Sequence, residues 1–176
     1  MNIEIKQVTL DNLLQLQEIS RQTFSEAFAA TNSEENMVKY LQESFSAEKL
    51  MTELTNENSA FYFGIIGEKV VGYLKLNSGA AQTDLKDKDA LEIERIYVLQ
   101  EFHGKKVAQS LYKKAIEVAT RRNARFIWLG VWEKNPRAIR FYRKNGFVEF
   151  DQHIFKLGED EQTDILMKLE LTPPAG

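Results

Sequence analysis

The stretch EFHGKKVAQSLYKKA, residues 101–115, places one glycine and several basic side chains at a turn into a helix. The first amides of a helix lack partners within it, and the helix dipole favours negative charge beyond them. His103, Lys105 and Lys106 add positive charge, and Gly104 allows the backbone to approach a ligand closely. The turn therefore predicts an anion site, with an ordinary solvated helix start as the alternative. Neither GxxxxGK[ST] nor GxGxxG occurs, so P-loop and dinucleotide-binding functions lack their usual support.

Two carboxylates and a phenol are the candidates for acid–base chemistry. Glu92 and Glu94 alternate along one strand and therefore share a face, unless a bulge intervenes. Burial or a neighbouring like charge would raise the pKa of one carboxyl towards that of a general base. An ion pair with Arg95 or with a lysine is the alternative. Tyr142 is predicted to face inward, where core packing with a tethered hydroxyl and a role in the site are both open.

Composition bounds the class of protein. The chain has 176 residues, 43% of them hydrophobic and 28% charged, which fits one soluble globular domain. A net charge of −3 gives no reason to expect nucleic acid as a partner. Cysteine is absent and only His103 and His153 are histidines, so neither a thiol nucleophile nor a metal site is expected. No signal peptide and no apolar run of ~18 residues is present, so we expect a cytoplasmic protein without a membrane partner.

Periodic apolar patterns predict the elements that must position these groups. Helices are predicted at 11–30, from Ser33 onward, and at 46–54, 105–122 and 136–145. Strands are predicted at 2–8, 60–66, 69–77, 91–98, 125–132, 147–156 and 163–170, with a loop over 78–90 and a frayed PPAG terminus. The fold class is therefore α/β, a single domain over residues 1–176 with a mixed sheet.

The segment that carries the candidate groups is a strand–helix–strand unit. Residues 91–98, the following helix and the buried run 125–132 fit one right-handed crossover between parallel strands. The apolar phase slips from odd to even positions within the first strand, which predicts a β-bulge near Glu94 and Arg95. Pro136 suits the first turn of the next helix, and Gly146 suits its C-terminal cap.

These residues carry a family resemblance. IERIYVLQEFHGKKVA followed by NPRAIRFYRKNGF resembles the paired core motifs of the GNAT acetyltransferases. The family ends its first motif with Gln/Arg-x-x-Gly-x-Gly/Ala, and His103, Lys106 and Ala108 stand at those positions. The second motif is intact at Asn135, Ala138, Phe141, Tyr142, Gly146 and Phe147. Further blocks, including TFSEAFAATNSEENMVKYLQESF, LGVWEKN and FKLGEDEQTDILMKLEL, are similar to bacterial PaiA-type spermidine/spermine N-acetyltransferases.

The resemblance implies a fold and a co-substrate. The fold would be the GNAT acyl-CoA N-acyltransferase fold, a mixed and mostly antiparallel sheet flanked by helices. Acetyl-CoA would lie where strands 91–98 and 125–132 splay apart, and no metal would take part. The cofactor-binding residues implied are Ile96, Tyr97, Val98, His103, Gly104, Lys105, Lys106, Val107, Ala108, Asn135, Tyr142 and Lys144.

The resemblance also implies direct acetyl transfer to an amine. Glu92 or Glu94 would deprotonate the acceptor, and Tyr142 would protonate the departing thiolate. The acceptor would be a primary amine of a polyamine such as spermidine or spermine. The carboxylates that could line its site are Glu26, Glu34, Glu35 and Glu133, with solvated acids at helix starts as the alternative.

Two other functions remain open from the sequence. One keeps the fold and acetylates a protein or another small amine. The other is a CoA-binding regulatory module without catalysis. A homodimer is also left open by the sequence.

Overall fold

The computed structural model describes residues 2–171, so the predicted fraying of the terminal PPAG lies outside the described range. The helices are α1 (Leu13–Phe28), α2 (Glu34–Ser44), α3 (Ala47–Thr55), α4 (Val107–Arg121) and α5 (Pro136–Lys144). The strands are β1 (Ile3–Gln7), β2 (Ser59–Ile66), β3 (Lys69–Ser78), β4 (Ala90–Val98), β5 (Phe126–Trp132), β6 (Val148–Leu157) and β7 (Asp160–Glu170). All the predicted elements are present, and β7 begins at Asp160 rather than at residue 163.

Local chemistry explains where the helices begin. The Ser33 hydroxyl accepts a hydrogen bond from the Asn36 amide at 3.1 Å, and Ser46 caps α3 in the same way. The Asn135 side chain accepts from the Ala138 amide, and Pro136 occupies the first turn of α5. Each cap satisfies an amide that the helix itself leaves unbonded, which is why these polar residues mark the starts.

The sheet has the order β1-β2-β3-β4-β5-β7-β6 across residues 2–171. Neighbouring strands are antiparallel except for β4 and β5, which are parallel, so the predicted mixed and mostly antiparallel sheet is confirmed. The parallel pairing covers only residues 90–93 of β4 against 126–129 of β5. Beyond these positions the two strands diverge, which confirms the predicted splay and opens a cleft between their carboxyl ends.

A β-bulge interrupts β4 beside this cleft. Lys75 of β3 pairs with Arg95, but the next residue, Leu76, pairs with Ile93. Glu94 is therefore the extra residue on β4, as the slip in apolar phase predicted.

Helices cover both faces of the sheet. On one face, α4 and α5 pack against β3, β4 and β5 through a core that includes Leu111, Ala115 and Ile127. On the other face, α1, α2 and α3 pack through a second core that includes Leu16 and Leu50. No helix within residues 2–171 is long and apolar enough to cross a membrane.

Candidate active site

The splayed strands form one wall each of a cleft of ≈ 400 Å³. The cleft reaches from the C-terminal end of α1 to the N-terminal end of α5. The residues that line it and bear on the chemistry are Phe28, Glu94, Ile96, Tyr97, His103, Gly130, Trp132, Asn135 and Tyr142. Chain segments far apart in the sequence thus meet at one place, as the family resemblance implied.

The turn before α4 has the geometry of an anion site. Gly104 and Lys106 both have positive φ values, 80° and 66°. Lys106 is the N-cap of α4 and has the left-handed conformation. The amides of residues 106–109 donate to no acceptor among residues 2–171. Free amides at a helix start, with lysines beside them, can bind a phosphate group.

The ring of His103 is already engaged at both nitrogens. Nε2 lies 2.9 Å from the Val98 carbonyl oxygen, and Nδ1 lies 2.6 Å from a guanidinium nitrogen of Arg137. A guanidinium can only donate, so Nδ1 accepts from Arg137 and Nε2 carries the hydrogen that it donates to Val98. His103 therefore ties the end of β4 to the start of α5 instead of presenting a free donor to an anion.

Tyr142 combines burial with an open hydroxyl. Its ring packs edge-on against Phe141 and Phe147. Tyr142 lines the cleft, and its hydroxyl hydrogen-bonds to no residue within 2–171. Burial raises the pKa of Tyr142 above that of an ordinary tyrosine, so the proton stays on the oxygen at neutral pH. A protonated phenol on a residue that lines the cleft is a candidate proton donor there.

Glu94 lines the cleft but is strongly paired. Its carboxylate lies 2.8 Å from Lys75 Nζ and 3.0 Å from Arg95 Nη2, and it accepts a hydrogen bond from Asn77 Nδ2 at 2.8 Å. Burial alone would raise the pKa of Glu94, but Arg95 and Lys75 outweigh it and lower the pKa to about 2. Glu94 is therefore a fixed anion near pH 7 and a weak base.

Glu92 has the opposite properties. It is 2% exposed and does not line the cleft. Its carboxylate accepts hydrogen bonds from Asn77 Nδ2 at 3.0 Å and from the Thr83 amide at 2.8 Å. Burial raises the pKa of Glu92. Because one amide group of Asn77 reaches both carboxylates, Glu92 and Glu94 do share a face, as the strand alternation predicted.

Sequence reasoning missed Glu53, which completes the charge cluster around Glu94. This carboxylate of α3 pairs with Lys75 and lies 3.4 Å from Arg95 Nη1. Two carboxylates and two cations thus meet beneath the bulge of β4, which also confirms the predicted alternative of an ion pair with Arg95. Glu53 and Arg95 are 42 residues apart, so no local sequence pattern indicates the contact.

The acidic residues predicted to line the acceptor site do not reach the cleft. Glu26, Glu34, Glu35 and Glu133 are exposed and lie outside its lining, as does Lys144. The Glu26 carboxylate instead accepts a hydrogen bond from the Gln100 amide at 2.8 Å.

Aromatic rings line the cleft at the end of α1, and a second missed acid lies on the strand beside them. The rings of Phe28 and Trp132 have centroids 5.2 Å apart. Asp164 of β7 lies opposite Trp132 in the strand register. Burial raises the pKa of Asp164, and His153 partly offsets the rise. Among the described residues, no three His, Cys, Asp or Glu side chains are arranged to hold a metal ion.

Comparisons with known proteins agree with this geometry. The model of the acetyltransferase (GNAT) family matches residues 13–147. An uncharacterized N-acetyltransferase from Lactobacillus delbrueckii subsp. lactis is 39% identical over 96% of this chain and 98% of its own length. The spermidine N(1)-acetyltransferase of Thermoplasma acidophilum is 25% identical over 96% of this chain and 97% of its own length.

A solved structure shares the fold. The crystal structure of the PaiA N-acetyltransferase from Thermoplasma acidophilum, in complex with coenzyme A, superposes with a TM-score of 0.80. The match covers 97% of this chain and 100% of that one, at 24% sequence identity. The likeness therefore extends over the whole sheet and its flanking helices.

Proposed function

This chain belongs to the acetyltransferase (GNAT) family, and we propose that it transfers the acetyl group of acetyl-CoA directly to a primary amine of a polyamine such as spermidine or spermine. The observation that carries the proposal is the cleft between β4 and β5. One end of the cleft reaches His103, directly before the turn of free amides, and the other end presents the carboxylate of Glu94 and aromatic faces. Such a cleft suits a phosphate-bearing thioester on one side and a cation on the other.

The acetyl-CoA side rests on backbone groups. The amides of residues 106–109 are free to bind the pyrophosphate, with Lys105 and Lys106 adding positive charge. Beyond Ile93, the edge of β4 that faces β5 is unpaired. Backbone groups of Ile96 to Val98 on that edge can bind the pantetheine arm and polarise the thioester carbonyl. The side-chain NH2 group of Asn135 is free to donate to a ligand in the same cleft, because only the side-chain oxygen caps α5.

Tyr142 is the proposed acid for the departing thiolate. As the amine nitrogen bonds to the acetyl carbon, the carbon–sulfur bond breaks and the sulfur takes the phenolic proton. A free thiol has a pKa of about 8.5, so the leaving group needs only modest assistance. General acid catalysis of this kind contributes about 10²–10⁴-fold to the rate. The chain has no cysteine, which fits transfer without an acyl-cysteine intermediate.

The acceptor side favours a cation. An alkylamine has a pKa of about 10 and arrives as an ammonium at neutral pH. The faces of Phe28 and Trp132 can stabilise it by cation–π contact, whereas the charge of Glu94 is already balanced by Lys75 and Arg95. The spermidine acetyltransferase among the relatives supports a polyamine. Glu92 and Glu94 stay the predicted bases, but Glu94 lacks basicity and Glu92 lacks access to the cleft.

The test is free-thiol release from acetyl-CoA, with spermidine, spermine and a lysine-containing peptide as separate acceptors. The protein contributes no thiol of its own, so the released CoA is the whole signal. We expect release with the polyamines, and a lower apparent affinity as salt is added, since salt screens charge attraction. Release with the peptide alone would replace the polyamine by a protein acceptor. Silence with all three would contradict the proposal.

A further inference from the structure

Asp164 lies beside the cleft, next to the space left by a glycine that lines it. Gly130 of β5 lines the cleft, and Asp164 lies on β7, the neighbouring strand. A β-carbon at Gly130 would lie 3.4 Å from Asp164 Oδ2. The carboxylate therefore stands over the glycine, and its side chain is 21% exposed. Unlike the buried Glu92, this carboxylate is partly exposed. Unlike Glu94, it has no lysine or arginine within ion-pair distance among the described residues.

His153 lies next to Asp164 on the neighbouring strand. The two residues are partners in the register of β6 and β7. His153 Nδ1 lies 3.0 Å from Asp84 Oδ2, and His153 Nε2 lies 3.9 Å from Asp164 Oδ2. An ionised carboxylate only accepts, so Nδ1 carries the hydrogen that faces Asp84, and Nε2 is the ring nitrogen that faces Asp164. The side chain of Asp84 is 41% exposed, so the row of Asp164, His153 and Asp84 ends at solvent.

We infer that Asp164 accepts the proton that the acceptor ammonium must lose before attack, and that His153 passes this proton to solvent beside Asp84. The inference rests on the proposed function. The nitrogen–hydrogen bond of the ammonium breaks, Asp164 becomes a carboxylic acid, and the amine keeps the electron pair for attack on the acetyl carbon. Asp164 then protonates His153 Nε2, and His153 releases the hydrogen on Nδ1. The gap of 3.9 Å must shorten by about 1 Å to reach hydrogen-bond length.

The surroundings of Asp164 suit this role. His153 faces it from β6, Tyr97 and the Glu94–Arg95 pair lie on β4, and Tyr40 approaches from α2. Burial raises the pKa of Asp164, which makes it a better proton acceptor than Glu94. Asp164 therefore combines a raised pKa with a partly exposed carboxylate next to Gly130, which lines the cleft; Glu94 lacks the first property and Glu92 the second.

The experiment compares Asp164→Asn and His153→Gln with the wild-type enzyme at saturating spermidine and acetyl-CoA from pH 7 to 9.5. We expect kcat of Asp164→Asn to fall about 100-fold at pH 7, the size typical of a lost general base. The deficit should narrow by at least about tenfold by pH 9.5, because the amine then loses its proton to solvent. His153→Gln should show a smaller deficit with the same pH trend.

Controls separate this role from binding and folding. Glu161→Gln removes an exposed carboxylate three residues away, on the opposite face of β7, and should leave kcat at the wild-type value. A deficit of Asp164→Asn that is constant with pH, or that appears only in KM for spermidine, would overturn the inference and assign Asp164 to binding. Wild-type kcat in Asp164→Asn would overturn it as well. A wild-type enzyme without turnover would instead refute the proposed function.

Discussion

The conformation of Lys106 leads to a prediction with a magnitude. Its φ of 66° and ψ of 16° are left-handed, and the GNAT motif has glycine at this position. A β-carbon in this conformation costs roughly 1–2 kcal/mol. Replacing Lys106 by glycine removes this cost. The greater freedom of glycine in the unfolded chain offsets about 0.5–1 kcal/mol of the resulting stabilisation. Lys106→Gly should therefore stabilise the protein by about 0.5–1 kcal/mol, which raises Tm by about 1–4 °C at this chain length.

Acetyl-CoA affinity should stay equal or increase in Lys106→Gly. The free amides of the turn keep their positions, and the substitution removes a β-carbon beside the phosphate. Thermal unfolding followed by circular dichroism measures the first effect, and calorimetric titration with acetyl-CoA measures the second. Lys106→Ala is the matched variant, because it removes the charge and keeps the β-carbon.

Lys105→Gly provides the second control. Lys105 is an exposed neighbour whose φ is not positive, so glycine there relieves no strain and should lower Tm. The reasoning would be refuted if Lys106→Gly unfolded at a lower temperature than the wild type. A loss of affinity above about tenfold in both Lys106 variants would show that the ammonium itself binds phosphate.

Three further predictions concern the cleft. Tyr142→Phe should fold normally and lose about 10²–10⁴-fold in kcat, and unchanged kinetics would remove its role as the acid. Glu94→Gln should destabilise the protein on the order of 3 kcal/mol near pH 7, because it leaves buried cations unpaired. Since the pKa of Glu94 is lowered from 4.5 to about 2, this difference should vanish as the pH falls through that window; denaturant unfolding at several pH values would contradict the argument if the difference stayed constant. Gly130→Ala places a β-carbon 3.3 Å from Leu166 Cδ2 and 3.4 Å from Asp164 Oδ2, so steady-state assays should show a higher KM for spermidine and an unchanged KM for acetyl-CoA.

The elements of the fold follow from the sequence because their causes are local. Apolar periods of 3.6 and 2 residues distinguish helices from strands, and Ser33, Ser46 and Pro136 mark helix starts through bonds within a few residues. Even the bulge at Glu94 leaves a local signal, the shift of apolar phase along β4. The turn before α4 and the inward position of Tyr142 were predicted for the same reason.

The sequence by itself determined that β4, the turn and α5 contribute to one site, since their residues lie in two short motifs. Of the residues predicted from these motifs, Ile96, Tyr97, His103, Asn135 and Tyr142 line the cleft, and Val98, Gly104, Lys105, Lys106, Val107, Ala108 and Lys144 do not. Only the tertiary structure decided the protonation chemistry. Glu94 became a weak base because Lys75 and Arg95 surround it, and Glu92 was sealed by contacts with Asn77 and the loop before β4. The row from Asp164 through His153 to Asp84 joins positions as far apart as residues 84 and 153. A pKa depends on burial and on charges within a few ångströms, and those distances exist only once the sheet has brought its strands together.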